Sequence, residues 1–119
     1  MAFGTHHVHV KTRDPKGTMQ FYVENLGATL IAETGAGGYR VNLHGLMLNI
    51  TPLIDTQKRE QHYGLEHIAV DTDDYTGTLA RLRANGVRIL EELPPGSSGR
   101  RVCFLGAPDG VQIEVIERV

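Results

Sequence analysis

Two histidines, His7 and His67, each open a related octet, HVHVKTRD and HIAVDTDD, sixty residues apart. A neutral imidazole is a good ligand for divalent transition ions and carries protons near neutral pH. A carboxylate of the kind that completes such a ligand set, Glu114, lies in the C-terminal stretch QIEVIE, and Asn49 holds the corresponding place in LMLNIT. Two His and one carboxylate leave positions open on a divalent ion for water or for substrate oxygens, so the ion can polarise what it holds. Taken singly, either histidine is equally well an ordinary satisfied or exposed one. Their equivalence across a repeat, with Glu114 on the final strand, favours the ligand reading.

The repeat extends beyond the octets. Asp14 through Leu26 and Gly27 correspond to Asp74 through Asn85 and Gly86, and each is followed by a short apolar run. Asp14 suits a helix N-cap with Pro15 at the first helical position, and Met19, Tyr22, Val23 and Leu26 recur at helical spacing until Gly27 stops the helix. Asp74, Tyr75, Leu79, Leu82 and Gly86 repeat these roles. A strand precedes each helix and three extended segments follow it. In the first half these are 28–34, 39–44 and 46–51; in the second, 87–93, 100–105 and 111–117, with turns at 35–38, 94–99 and 108–110. The expected fold is therefore α+β: two tandem βαβββ modules forming a half-open curved β-sheet groove, with the helices outside. Residues 1–119 make a single domain, with module one at 5–51, a polar linker at 52–63 and module two at 64–118.

Alternation along strands assigns the faces. Val8 and Val10 point under the helix, as do Ile68 and Val70, Leu46, Leu48 and Ile50, and Ile113 and Val115. His7, His9 and Lys11 then share the groove face with His67, Ala69, Asp71, Met47, Asn49, Gln112, Glu114 and Ile116. Lys11 holds a substrate anion or, as is commoner at a strand end, is solvated.

The composition, 40% hydrophobic and 22% charged with a formal net charge of −2, is ordinary for a globular chain and points to neither nucleic acid nor an anionic membrane as partner. No apolar stretch approaches the roughly 18 residues that span a bilayer, and the opening residues show no leader pattern. The single cysteine, Cys103, makes no internal disulfide and reads as a packed thiol, consistent with a cytoplasmic setting.

Over nearly its whole length the chain resembles the vicinal oxygen chelate superfamily, which includes glyoxalase I, methylmalonyl-CoA epimerase, extradiol dioxygenases and bleomycin resistance proteins. HVHVKTRD, FYVENLGATL, EHIAVDTDD, NGVRI and APDGVQIEVIE carry the resemblance. It implies one divalent metal ion, Zn, Ni, Co, Mn or Fe(II), held by His7, His67 and Glu114, with Asn49 at most a weak ligand. It further implies a metal-dependent lyase or isomerase of the glyoxalase I or epimerase type, stabilising an enediolate-like intermediate of a small vicinal-oxygen substrate. Glu114 doubles as base, and His9, or else His44 or Asp71, is the second proton-transfer group that an epimerase needs. A homodimer is expected, with the groove formed within one chain or across two. A divergent Fe(II) dioxygenase fits less well, because that branch expects tyrosine where Phe104 stands. The remaining alternative is a non-catalytic, ligand-sequestering protein. Tyr39, His62 and Tyr63 read as surface residues or as covers over a ligand, and Gly96 to Gly99 beside Arg100 and Arg101 as a hairpin loop or a lid.

Overall fold

The computed structural model describes residues 2–107 and 111–118. Its elements run β1 (Phe3–Lys11), α1 (Pro15–Leu26), β2 (Thr29–Thr34), β3 (Gly38–Leu43) and β4 (Leu46–Thr51), then β5 (Gly64–Thr72), α2 (Tyr75–Ala84), β6 (Arg88–Leu93), β7 (Val102–Gly106) and β8 (Gln112–Glu117). This is βαβββ twice, in the α+β class, and the strand limits differ from expectation by one or two residues. The turn expected at 108–110 lies outside the described residues. The chain divides into two compact units, His7–Glu66 and, on the other side, the residues up to His6 together with those from His67 onward.

Within the first unit the strands lie in the order β2-β3-β4-β1, and within the second β5-β8-β7-β6. In each, the first strand runs parallel to the last and the other pairs are antiparallel. A parallel pair needs a crossover, which α1 and α2 begin. The registers repeat as well: His9 lies opposite Asn49 in one unit and Ala69 opposite Glu114 in the other. Glu114 is thus the counterpart of Asn49.

Both helices start by the same device. Asp14 Oδ1 accepts from Gly17 N at 3.0 Å, Thr12 Oγ1 accepts from Asp14 N at 3.3 Å and pairs with Thr18 Oγ1 at 2.7 Å. Asp74, Gly77, Thr72 and Thr78 repeat this at 3.0, 3.2 and 3.0 Å. A Cβ at Gly17 or Gly77 would run into the capping carboxylate, so the small residue is required there. At its far end α1 stops at Gly27, whose φ of 71° suits glycine.

Each unit has its own core. Met19, Ala28, Val41, Leu48 and Ile50 form the first, with Val8, Tyr22, Val23 and Tyr39 against it. Tyr75, Leu79, Cys103, Leu105 and Val115 form the second, joined by Val70, Leu82 and Ile113. Cys103 is the packed thiol its surroundings suggested, and burial pushes its titration up. Three expected core residues are instead exposed: Leu26 at 46%, Leu46 at 45% and Ile68 at 38%. Leu26 ends its helix, and Leu46 is the first residue after the hairpin at His44 and Gly45. That hairpin has positive φ at both residues, 52° and 104°, as a two-residue turn between paired Leu43 and Leu46 requires.

Candidate metal and proton-transfer site

The first unit contributes His7 and His9, alternate residues of β1 and therefore on one face. Both are buried, at 6% and 8% exposure, with ring centroids 6.5 Å apart. One ring nitrogen of each lies within 4.8 Å of the other's, close enough for both to serve one small ligand or ion. His9 Nε2 is 2.7 Å from Thr51 Oγ1, the last residue of β4.

The second unit contributes His67 and Glu114. His67 is 2% exposed and Glu114 9%, and Nε2 and Oε2 meet at 2.7 Å. The carboxylate sits between Ala69 on β5, whose small side chain leaves it room, and Phe104 on β7, its register partner. Phe104 also stands edge-on to the His67 ring, with centroids 5.2 Å apart at 80°. An aromatic wall and a short contact to a carboxylate fix the imidazole's orientation, which is what a ligand or proton carrier requires. The donor chemistry fits a divalent ion: an imidazole and a carboxylate, buried and already adjacent, with Phe104 offering no competing ligand.

Asn49 faces the other way chemically. Its Oδ1, the atom that would bind a cation, accepts from Arg40 Nε at 2.9 Å, and a guanidinium at that oxygen opposes a second positive charge.

Lys11 shares the buried face of β1 with His7 and His9. The expectation of a solvated strand end fails: the residue is 1% exposed, and its Nζ has no hydrogen-bond partner. Burial pulls its pKa down, partly offset by attraction to Glu66, while Arg59 lowers it further. Glu66 itself is wholly buried and takes hydrogen bonds from Arg59 Nη2 at 3.1 Å and Gln57 Nε2 at 3.0 Å. Within the polar run read as a linker, Gln57 and Arg59 thus reach a side chain of β5. Gln61 adds two bonds to the backbone of Ile54, at 2.8 and 2.7 Å. The composition of 52–63 did not reveal this. The only signal was two adjacent residues with ionisable side chains, Glu66 and His67, at a strand position where alternation exposes one of them.

Other candidates have structural partners. His44 Nε2 donates to the Leu26 carbonyl at 2.6 Å, closing the end of α1. Asp71 is paired with Arg118 at 2.7 Å. Tyr39 packs on the first core, whereas Tyr63 is 41% exposed with Arg13 stacked 4.0 Å over its ring. Gly96 to Gly99 forms a compact turn closed by Gly99 N to Gly96 O at 3.0 Å. Arg101 beside it binds Glu117 at 2.7 Å and Thr76 at 3.0 Å, so it is not held ready for an incoming anion. A shallow cleft of about 310 Å³ lies on the α2 side of the second unit, between Tyr75, Leu79, Leu93 and Arg101, and contains none of the candidate metal or proton-transfer residues.

A sequence profile of the glyoxalase/bleomycin resistance protein/dioxygenase superfamily matches residues 4–115. The chain belongs to that superfamily. Among its relatives in the superfamily is a probable lactoylglutathione lyase of Synechocystis sp., 27% identical over 121 residues, with 93% of this chain and 92% of the relative covered. The lactoylglutathione lyase of Escherichia coli O157:H7 is 26% identical, with 93% and 90% covered. Among solved structures, the methylmalonyl-CoA epimerase of Mycobacterium tuberculosis aligns with a TM-score of 0.77 at 22% identity, over 98% of this chain and 88% of its own. A hypothetical protein of Bacillus halodurans C-125 aligns at 0.79 and 22% identity, over 100% and 96%. These structural likenesses establish the superfamily fold. Among the described residues no helix is long and apolar enough to cross a membrane.

Proposed function

We propose that this superfamily member is a metal-dependent lyase or isomerase that moves a proton at a carbon next to a carbonyl, with His7, His67 and Glu114 holding one divalent ion. The observation that carries the reading is the buried His67–Glu114 pair at 2.7 Å, on strands that duplicate those bearing His7 and Asn49. The two half-sites, His7 with His9 and His67 with Glu114, would be joined within one chain or across a homodimer. Relatives named lactoylglutathione lyase and a fold neighbour named methylmalonyl-CoA epimerase both support this class of substrate, a small molecule with neighbouring oxygens. Asn49 is left out of the ligand set because Arg40 occupies its oxygen.

When bound, the divalent ion supplies Lewis acidity to the substrate oxygens and so stabilises the negative charge that grows as the proton leaves. Glu114, buried beside His67, accepts the proton. His9, also buried and hydrogen-bonded through Nε2, returns or removes a proton from a second direction, as an epimerase needs. The walls of the second half-site, Ala69 and Phe104, are buried and carry no polar side-chain group. Phe104 also lacks the hydroxyl that a ring-cleaving oxygenase would use there, which places the dioxygenase reading second.

The test is elemental analysis of protein purified without chelator, followed by assays on a hemithioacetal, an acyl-CoA epimer pair, and a catechol with oxygen uptake followed. One equivalent of divalent metal and turnover of either of the first two substrates is expected. Protein without stoichiometric metal, inert on all three, would make the chain a binding module instead.

A further inference from the structure

We infer that Arg40 binds an acid group of the substrate, so that the ligand of the first unit is the anion of a small carboxylic acid. This names a substrate class for the function proposed above and rests on that reading. Asn49 makes the difference. At the place where the second unit carries Glu114, the first carries a carboxamide. A carboxylate there would pair with Arg40, directly opposite on β3, and cancel its charge. The carboxamide instead accepts from Arg40 Nε at 2.9 Å and leaves the charge whole. That is the guanidinium's one hydrogen bond among the described residues, so Nη1 and Nη2 remain to donate. Arg59, Arg83, Arg101 and Arg118 each hold a carboxylate, whereas Arg40 holds none among the described residues.

The sheet puts this fork on the face that bears the histidines. Tyr39 and Val41 pack on the first core, so Arg40 between them lies on the opposite face, as Asn49 does between Leu48 and Ile50. Arg40 pairs with Asn49 and Asn49 with His9, which makes one row across β3, β4 and β1, with neighbouring strands about 5 Å apart. On that face the three strands carry His7, His9, Lys11 and Arg40 and no carboxylate. The buried Lys11 ammonium, on the same face, also has no hydrogen-bond partner. Such a surplus of positive donors favours a negative ligand. The free end of the guanidinium offers two parallel N–H groups at the spacing of carboxylate oxygens, which orients the acid as well as attracting it. The duplicated units thus have opposite preferences, a cation at Glu114 and an anion at Arg40.

The experiment is a titration of full-length, ¹⁵N-labelled protein with lactate, lactamide and inorganic phosphate, followed by ¹H–¹⁵N correlation. The Arg40 Nε–Hε signal is assigned by its loss in Arg40→Lys. Lactate is expected to move that signal to saturation and to leave those of Arg83 and Arg101, which are already paired, in place. Lactamide, alike in shape but uncharged, should not move it. Asn49→Asp, which sets a carboxylate against Nε, should weaken lactate binding about tenfold or more, and Arg40→Met should abolish the saturable shift at the backbone amides of β3. Both variants are checked for an unchanged thermal melt. With an acid turned over by the wild type, Arg40→Met should raise KM about tenfold or more and leave the corresponding ester unaffected. The titration needs neither metal nor turnover, so a protein inert in every assay that still binds lactate through Arg40 defeats the proposed reaction and upholds this inference. An Arg40 signal indifferent to lactate, an equal response to lactamide, or undiminished binding in Arg40→Met overturns it. Phosphate bound in preference to lactate overturns the assignment to a carboxylate.

Discussion

Lys11→Met should make the protein more stable. The wild-type side chain is 1% exposed and its ammonium lacks a hydrogen-bond partner, while Glu66, the carboxylate that attracts it, already takes donors from Arg59 and Gln57. Leaving a buried polar group unsatisfied costs about 1–3 kcal/mol, and methionine fills nearly the same volume without that cost. For a chain of this length 1 kcal/mol corresponds to about 4 °C, so Tm should rise by about 4–12 °C. The pH dependence gives a second check. The folded-state pKa of Lys11 lies below its unfolded value of 10.5, so between the two the unfolded chain binds more protons and wild-type stability rises with pH. The advantage of Lys11→Met should therefore be full below the folded-state pKa and shrink toward pH 10.5. Urea melts of both proteins at a series of pH values measure this. A variant less stable than wild type at neutral pH, or a gain that ignores pH, would refute the reasoning.

Three more outcomes are expected. His67→Ala should abolish metal retention, read by elemental analysis, with the circular dichroism spectrum unchanged; wild-type stoichiometry in that variant removes His67 from the ligand set. Gly17→Ala and Gly77→Ala should each cost about 1 kcal/mol by spoiling an aspartate cap, against the usual helix preference for alanine. Because the caps lie in separate units, the two losses should add. Leu79→Ala, 5% exposed in the second core, should cost about 2–5 kcal/mol in urea denaturation, whereas Leu26→Ala, 46% exposed, should stay within about 0.5 kcal/mol of wild type.

The sequence disclosed the fold through features that are local and repeated. Aspartate caps, helical spacing and a returning octet each follow from a few neighbouring residues, and the caps recur bond for bond. Alternation also placed His7 with His9 on one strand face, and His67 with Glu114 across two strands, because a side chain's face depends on parity alone. What covers a face depends on distant residues, and there the reading missed. Lys11 looked solvated because nothing in its own strand says that the segment carrying Arg59 and the buried Glu66 lies near enough to be felt. Leu46 and Ile68 have the parity of core residues, yet both are exposed, because parity assigns a face and not what lies over it. His44 offered only a ring in a turn; its bond to Leu26, eighteen residues away, required the hairpin's positive φ angles to bring it there.

The bonds from Gln57 and Arg59 to Glu66 decide where this chain can be divided. The polar run before β5 reads as the natural cleavage point, yet a cut between Arg59 and Glu66 would sever both bonds, whereas one ahead of Gln57 keeps all three side chains on one fragment. Fragment complementation should accordingly be weaker with a break between Arg59 and Glu66 than with one a few residues earlier.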